Sequence, residues 1–454
     1  MAIETINPTT GERLKSFDPW NEQQIETALA AAAAATHAWQ ASSFAERAQL
    51  FKNAAAELRR DIGRYAGLIT LEMGKVTKEA RAEIEKCAQA CEFYAAHAQN
   101  FLRAENIASD AGLSYVAYLP LGTVLAVMPW NFPFWQVFRF AAPSLMAGNT
   151  AVLKHASNVP QCALAIEEIF LKAGFPRGVF GTLMISAAQT EKIIADSRIH
   201  AVTLTGSESA GRKIAAAAGA HLKKTVLELG GSDAFIVLAD ADLELAANIG
   251  VTARFLNAGQ SCIAAKRFIL TPSIAEAFLE IFKRKTRALK MGNPAHADTE
   301  LGPLARADLR EQLHKQVTDS VAAGAKLILD GGPHAGPGFF YAPSIIDNVQ
   351  PGMRAYAEEL FGPVAIILRA KDEADAIRLA NDNRYGLGAS VWTRDVENGE
   401  RVARRIQSGS SFVNGLVKSD PRLPFGGIKA SGYGRELSTH GIREFVNTKT
   451  IWIK

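Results

Sequence analysis

The sequence predicts an α/β protein made of two units, each a parallel sheet covered by helices. Short apolar β-rich runs alternate with helical stretches from about residue 113 onwards, the pattern of buried parallel strands joined by helices. A second alternating series begins after Cys262. The length of 454 residues also exceeds that of a typical single hydrophobic core.

The first part of the chain is predicted to be helical. Segments near 22–37, 43–61 and 76–103 have helical character. The alanine-rich stretch 28–35 is explained by helix formation, because alanine is the best helix former, and does not indicate a binding surface. The strands predicted in the first series are 124–127, 151–153, 201–204 and 234–238. The helices between them are 160–173 and 209–218.

The second series has the same character. Its strands are 267–270, 326–329, 364–368 and 411–413, and its helices lie near 273–290 and 307–323. The Gly/Pro-rich stretch 330–343 is expected to be a surface loop. The two units are predicted to join near residue 229.

Composition excludes several kinds of partner. The net charge is +4, and no Lys/Arg cluster alternates with aromatics, so nucleic acid is not expected to bind. The four cysteines lack CxxC or Cys/His spacing, which argues against a disulfide framework or a metal site. The segment 1–8 lacks the features of a secretory signal, and no apolar run approaches membrane-spanning length, so we expect a cytoplasmic protein without a membrane partner.

Three segments carry the parts needed to attack a carbonyl carbon. In 257–262 (NAGQSC) Cys262 follows small, polar and glycine residues, as in a loop. Glu228 supplies a carboxylate base and Asn131 an amide that donates to an oxyanion. The alternative for Cys262 is a small buried apolar residue, which is the commoner role of a lone cysteine.

The turn at 205–211 (TGSESAG) follows a strand and precedes a helix. Its backbone amides and the Ser207 hydroxyl suit a pyrophosphate. Ordinary strand-to-helix turn chemistry explains the same residues, and the GxGxxG fingerprint is absent here.

Together these motifs resemble the aldehyde dehydrogenase superfamily over nearly the whole chain, from Asn7 to Thr450. The segments that carry the resemblance are 129–133 (PWNFP), Lys154, 205–207 (TGS), 228–231 (ELGG), 259–262 (GQSC), 359–363 (ELFGP) and 424–427 (PFGG).

The resemblance implies two Rossmann-type domains and a small β oligomerisation element in a homodimer or homotetramer. Residues 1–101 and 121–228 would form the NAD(P)-binding domain, and 229–437 the catalytic domain. A hairpin near 102–120 and the tail 438–454 would form the oligomerisation element.

The resemblance also implies the site residues. Cys262 would attack the aldehyde, Asn131 and the Cys262 N–H would hold the oxyanion, and Glu228 would activate the hydrolytic water. Those assigned to the cofactor, NAD or NADP, are Trp130, Lys154, Ser157, Gly206, Ser207, Leu229, Gly230, Glu359 and Phe361.

Segments 130–139 and 264–269 are similar to those of the shorter bacterial succinate-semialdehyde dehydrogenases. Arg139 matches an arginine that binds the substrate carboxylate in that group, although it also suits a snorkelling role. Leu256 stands where many members have a second such arginine. The remaining substrate candidates are Ser419, Arg422 and the weaker Lys418, with Trp130, Phe132, Trp135 and Phe425 along an apolar channel.

Ser157 bears on cofactor choice. NAD-selective members often have a glutamate here that repels a 2′-phosphate, so Ser157 removes a barrier to NADP, and His155 adds a possible donor. We therefore expect both cofactors to be accepted.

Other functions stay open at this point. Broader aliphatic or glutarate semialdehyde oxidation is the nearest alternative. A CoA-acylating enzyme generally lacks the base at Glu228, and a noncatalytic protein would not need Cys262, Glu228 and Asn131 together.

Overall fold

The computed structural model of the chain describes residues 3–454 and confirms the α/β class. Met1 and Ala2, which begin the segment considered for a secretory signal, lie outside the described residues. The helices are α1 (Glu22–Ala41), α2 (Phe44–Arg60), α3 (Ile62–Met73), α4 (Thr77–Phe101), α5 (Trp135–Met146), α6 (Pro160–Lys172), α7 (Thr190–Ala195), α8 (Glu208–Ala220), α9 (Leu243–Phe255), α10 (Ala275–Arg287), α11 (Ala307–Ala322), α12 (Arg354–Ala357), α13 (Glu373–Asn381), α14 (Val396–Ala403) and α15 (Ser438–Ile442).

The strands form two large sheets and several small ones. They are β1 (Ile3–Ile6), β2 (Arg13–Phe17), β3 (Glu105–Asn106), β4 (Leu113–Pro120), β5 (Thr123–Met128), β6 (Thr150–His155), β7 (Phe180–Thr182), β8 (Ile199–Thr205), β9 (Lys224–Glu228), β10 (Asp233–Val237), β11 (Ala265–Leu270), β12 (Lys326–Leu329), β13 (Gly332–Pro333), β14 (Tyr341–Ala342), β15 (Ser344–Asp347), β16 (Val364–Arg369), β17 (Tyr385–Gly386), β18 (Gly388–Trp392), β19 (Ser410–Val413), β20 (Ile428–Lys429), β21 (Gly432–Tyr433) and β22 (Val446–Ile453).

The first large sheet has the order β21-β9-β8-β5-β6-β7, and the second has the order β12-β15-β16-β11-β10-β18-β19. Neighbouring strands run parallel except at β21, which is antiparallel to β9, and at β12, which is antiparallel to β15. The predicted strand 234–238 is β10, in the second sheet. The two parallel-sheet units are therefore confirmed.

A third, three-stranded sheet joins distant parts of the chain. Strand β22 pairs antiparallel with β4 along eight residues, from Val446 opposite Pro120 to Ile453 opposite Leu113, and β4 also pairs with β3. The hairpin expected near 102–120 is present, and the carboxyl-terminal tail extends it.

The first sheet brings several loops to one edge. In the parallel register Thr205 lies beside Glu228, and Met128 lies beside His155. The carboxyl ends of β5, β6, β8 and β9 therefore meet, and this edge is where open α/β sheets bind ligands.

Several elements escaped the sequence analysis for physical reasons. All twelve residues of α5 are buried, so this helix has no polar face to reveal its period. Helix α3 is separated from α2 at Asp61, whose φ of −116° and ψ of 29° interrupt the helix. In the predicted surface loop 330–343, β13 pairs with β14, and the Tyr341 side chain is buried. No helix within residues 3–454 is long and apolar enough to cross a membrane.

Candidate active site

A groove of about 590 Å³ lies at the convergent strand ends of the first sheet. It extends to α11 and to the segment that follows α12. The residues assigned to the cofactor all line this groove: Trp130, Lys154, Ser157, Gly206, Ser207, Leu229, Gly230, Glu359 and Phe361.

The groove contains polar groups without protein partners. Burial lowers the pKa of Lys154, and no described residue forms an ion pair with it. Both side-chain polar atoms of Asn158, next to Ser157, are buried without a hydrogen-bond partner among the described residues. Buried polar atoms are normally satisfied, so these groups fit a polar ligand.

His155 does not add a donor to the groove, contrary to the sequence expectation. Its ring is buried, with Nε2 2.9 Å from the Pro133 carbonyl oxygen, and Nδ1 accepts from the Ala156 N–H. Burial lowers its pKa to about 4, so the imidazole is neutral and structural.

Three of the cofactor candidates already have protein contacts. Ser207 caps α8 by accepting from the Ala210 N–H at 3.3 Å. Glu359 pairs with the buried Lys266 at 2.9 Å and accepts from the Gly231 N–H. Phe361 packs edge-to-face on Trp130, with 5.8 Å between ring centroids. These contacts hold the side chains in position at the groove.

The loop before Cys262 has an unusual backbone. Asn257, Ala258 and Gly259 have φ values of 56°, 53° and 72°. Residues other than glycine rarely adopt this left-handed backbone region. At Gly259 a Cβ would also overlap the Gly362 carbonyl oxygen. Lys266 donates to the carbonyl oxygens of Ser261 and Cys262 at 2.8 and 2.9 Å. The thiol is thus held by a closely packed turn before β11.

Cys262 lies between the groove and a second cavity. This cavity has a volume of about 240 Å³ and an apolar wall that includes Phe132, Trp135 and Phe425. Among residues 3–454, Cys262 and Gln136 are the two that line both spaces. A substrate in the cavity and a ligand in the groove would therefore meet at the sulfur.

The Cys262 side chain is neither fully buried nor fully exposed. Burial of the thiol group raises its pKa to about 12, although the cations Arg139 and Lys266 act in the opposite direction. The protonated thiol is therefore the resting form at neutral pH, and attack on a carbonyl requires a base.

Asn131 is buried and firmly oriented. Its Oδ1 accepts from Gln136 Nε2 at 3.0 Å, and its Nδ2 donates to the Gln260 carbonyl oxygen at 3.1 Å. Its own carbonyl oxygen accepts from Lys75 and from Asn257. Because Gln136 is a donor to Oδ1, it fixes which end of the Asn131 amide carries the N–H groups.

Glu228 is a buried carboxyl group, and neither of its oxygens has a hydrogen-bond partner among the described residues. Burial raises its pKa well above the usual range, and Glu436 adds to this effect while Arg139 opposes it. Arg139 itself forms a buried ion pair with Glu436. The guanidinium is thus paired with Glu436, and the buried Glu228 carboxyl, which has no such partner, is favoured in its protonated form.

The sequence as a whole matches the model of the aldehyde dehydrogenase family over residues 1–451. The chain belongs to the aldehyde dehydrogenase family. The sequence is 51% identical to a probable NADP⁺ succinate-semialdehyde dehydrogenase of Synechocystis sp., with all of both chains covered. It is 49% identical to the NADP⁺ succinate-semialdehyde dehydrogenase of Mycolicibacterium paratuberculosis, covering all of this chain and 97% of the relative.

A solved structure of similar fold is the succinic semialdehyde dehydrogenase of Streptococcus pyogenes in complex with NADP⁺. It aligns with a TM-score of 0.98 at 40% identity, and both chains are covered completely. The predicted fold, with two parallel sheets and a small β element, is therefore that of this family.

In this aldehyde dehydrogenase all the substrate candidates except Arg422 lie around one cavity. Arg139, Trp135 and Ser419 line the cavity, and so does Lys418. Arg422 does not, because its side chain is exposed and pairs with Asp420 at 2.6 Å. The structure therefore does not bring Arg422 to the cavity with the other substrate candidates.

Trp130 borders the groove of the aldehyde dehydrogenase, and the structure does not place it with the other aromatic residues of the apolar cavity. Its assignment to the cofactor remains consistent with its position. Phe132, Trp135 and Phe425 do form part of the cavity wall.

Three polar residues near the reacting centre of the aldehyde dehydrogenase were missed by the sequence analysis. They are Lys86 on α4, Gln136 on α5 and Glu436 before α15. Gln136 lies five residues after Asn131, within the segment already singled out, and its polarity in an apolar run was an available signal. Lys86 and Glu436 had none, because only the tertiary fold brings them to the site.

Proposed function

We propose that this enzyme oxidises a small aldehyde with a distal carboxylate, succinate semialdehyde, to the corresponding dicarboxylate with NADP⁺, and that it also accepts NAD⁺. The observation that carries the proposal is the position of Cys262 between two spaces. One is a small apolar cavity whose lining includes the buried Arg139 and the half-buried Lys86, and the other is a groove with polar groups lacking protein partners. The names of the relatives support the same substrate.

The groove residues fit a dinucleotide. Lys154 is a half-buried ammonium without a carboxylate partner among the described residues, which suits the hydroxyls or phosphate of an adenosine ribose. Ser157 places a small hydroxyl, not a carboxylate, beside it, so a 2′-phosphate meets no like charge. When bound, the nicotinamide supplies the hydride acceptor. We assign this domain to 1–101 and 121–228, and the catalytic domain to 229–437.

The chain's own residues divide the chemistry. The Cys262 thiol loses its proton to solvent, and its sulfur bonds to the aldehyde carbon as the carbonyl π bond opens. Asn131 Nδ2 and the Cys262 N–H then stabilise the oxyanion of the thiohemiacetal. After loss of hydride from that carbon, the product is a thioester. Glu228 acts here in its ionised form and takes a proton from water as the water oxygen bonds to the thioester carbon. The C–S bond then breaks, the Cys262 sulfur takes up that proton as a thiol, and the acid leaves as its carboxylate after losing its remaining proton to solvent.

The thiol and the Glu228 carboxyl must each lose a proton before they can act. Burial favours the protonated forms of both Cys262 and Glu228. Because the thiolate is the reactive form, kcat/KM for aldehyde should rise as the pH is raised from neutral into the alkaline range.

The three-stranded sheet is proposed to be an oligomerisation element for a homodimer or homotetramer. Leu113, Leu119, Trp452 and Ile453 are exposed on it. Exposed apolar side chains grouped on a sheet are typical of protein interfaces.

The test is an activity assay with purified protein. Succinate semialdehyde and butanal have equal chain length, and each is offered with NADP⁺ or NAD⁺, with and without CoA. We expect succinate and reduced cofactor without a need for CoA, and a higher kcat/KM for the acid substrate than for butanal. Equal kcat/KM values for the two aldehydes would refute the substrate proposal, and a product dependent on CoA would refute the hydrolytic step.

A further inference from the structure

The amino-terminal end of α4 contacts both halves of the reacting centre. Lys75, just before the helix, donates to the Asn131 carbonyl oxygen at 2.9 Å. Four residues later, Glu79 Oε2 accepts from the Asn257 N–H at 2.9 Å. Asn131 is the proposed oxyanion donor, and Asn257 begins the turn that ends at Cys262. One short stretch of chain thus anchors the segments of both the oxyanion donor and the nucleophile.

Glu79 differs from the nearby Glu83 because no cation pairs with it. Glu83 forms a buried ion pair with Lys75 and accepts from two backbone N–H groups at the start of α5, at 2.9 and 3.0 Å. No described residue forms an ion pair with Glu79, which lines the substrate cavity. Among the described residues, the donor to the Glu79 carboxyl group is the Asn257 N–H.

The turn that Glu79 holds has a strained backbone. Asn257 and Ala258 adopt left-handed angles, which residues other than glycine keep only where surrounding contacts fix them. The Asn257 side chain ties this turn to the oxyanion segment, because its Nδ2 donates to the carbonyl oxygens of Asn131 and Gln260 at 2.8 and 3.0 Å. Release of the Asn257 backbone would therefore let the distance between the oxyanion amide and the sulfur vary.

We propose that Glu79 is a positioning residue, whose carboxylate fixes the turn of Cys262 relative to the Asn131 amide through the Asn257 N–H. The inference rests on the roles proposed above for Cys262 and Asn131. A hydrogen bond to an ionised acceptor is stronger than one to a neutral acceptor. The Glu79 carboxylate therefore holds the turn more firmly than the protonated carboxyl group does.

The surroundings of Glu79 bring this change close to neutral pH. Burial raises the pKa of Glu79 to about 7, and Glu83 adds to the shift, whereas the Asn257 N–H, Lys75 and Lys78 oppose it. The other titratable groups on the cavity wall are Glu83, Lys86, Arg139, Cys262 and Lys418. Glu79 is ionised above about pH 7 and protonated below it, so the stronger hydrogen bond is present on the alkaline side and is lost as the pH falls.

The test compares Glu79→Gln and Glu79→Met with the unmodified enzyme. Glutamine keeps the size and a neutral oxygen acceptor, whereas methionine offers only a weakly accepting thioether. At about pH 8.5 we expect kcat/KM to fall about 3- to 10-fold in Glu79→Gln and about 10- to 100-fold in Glu79→Met, the loss of part or all of a charge-assisted hydrogen bond. Succinate semialdehyde and butanal should lose equally, because the effect is at the carbonyl end.

The pH dependence separates positioning from simple support of the fold. The ratio of kcat/KM in the unmodified enzyme to that in Glu79→Gln cancels the titrations of Cys262 and Glu228, which the two proteins share. It should rise from near 1 to its full value as the pH is raised through about 7, since only the unmodified enzyme gains a carboxylate. Glu85→Gln, which loses a part-exposed ion pair with Arg59 on the same helix, is the matched control and should give a ratio near 1 at every pH.

Hydrogen–deuterium exchange reports on the turn without any turnover. Glu79→Met should speed amide exchange in the peptide that contains 257–262 and leave the strands of both large sheets unchanged. Faster exchange in both sheets as well would show general destabilisation of that variant, and the pH ratio of Glu79→Gln would then decide.

The possible failures are distinguishable. A pH-independent ratio, or unchanged exchange in 257–262, would overturn the role of Glu79 while the proposed function stands. Unequal losses for the two aldehydes would also overturn it, because Glu79 would then act on the charge of the substrate. If the unmodified enzyme oxidises neither aldehyde, the proposed function fails, whereas the exchange experiment still decides whether Glu79 holds the turn.

Discussion

Replacement of Gln136 by methionine tests how the oxyanion donor is oriented. The 3.0 Å hydrogen bond from Gln136 Nε2 to Asn131 Oδ1 determines which face of the Asn131 amide carries the N–H groups. Methionine has a similar length but cannot donate. Both residues are buried, at 2% and 4% exposure, so water does not readily replace the lost donor.

The magnitude follows from the energy of that bond. A buried hydrogen bond contributes about 1–1.5 kcal/mol net, and about 1.4 kcal/mol corresponds to a factor of 10 in rate. We therefore expect Gln136→Met to lower kcat/KM about 10-fold. Direct removal of an oxyanion donor by Asn131→Ala should lower it about 100- to 1000-fold.

The assay is a double-mutant cycle on kcat/KM, with succinate semialdehyde and butanal measured separately. Because Gln136 acts through Asn131, the double variant Asn131→Ala/Gln136→Met should be no slower than Asn131→Ala alone. Both aldehydes should lose equally, since the effect is on the carbonyl end. The orienting role would be refuted if the fold-loss of kcat/KM in the double variant equalled the product of the two single losses while its thermal unfolding was unchanged.

Three further predictions concern the thiol, the base and the groove. Cys262→Ala should abolish aldehyde oxidation while NADPH still binds with nearly unchanged affinity, measured by fluorescence titration; residual turnover above a few per cent would contradict the nucleophile assignment. Glu228→Gln should give a burst of reduced cofactor followed by slow turnover in stopped flow, because deacylation loses its base; a normal steady-state rate would exclude that role. Ser157→Glu should raise KM for NADP⁺ by at least about 10-fold with little change for NAD⁺, since the new carboxylate repels a 2′-phosphate; a parallel rise for both cofactors would show a structural effect instead.

Sequence reasoning worked best where a motif follows a buried strand. Residues at 128–131, 154, 156–157, 205–207 and 229–230 each end or follow a strand of the first sheet, and parallel strand ends meet at one edge. Their grouping along one groove could therefore be predicted from chain order alone. Helix α5 could not be predicted in this way, because complete burial leaves no hydrophobic period.

Charged side chains were predicted less well. Arg422 precedes the 424–427 motif, but Asp420, two residues earlier, pairs with it at the surface. Lys86 lies far from Ser419 in sequence, and only the packing of α4 against α5 brings it into the cavity. Local sequence gives the type of a charge, whereas its partner is decided by tertiary contacts.

The position of Cys262 between two spaces has a consequence for how such enzymes diversify. The cavity is built mainly from α4, α5, α9 and the 416–419 segment, and the groove from the strand ends of the first sheet and α11. Among the described residues the two walls share only Cys262 and Gln136. Replacements elsewhere in one wall can therefore accumulate without disturbing the other. Substrate range and cofactor choice are thus separable traits, open to independent selection or independent redesign around an unchanged sulfur.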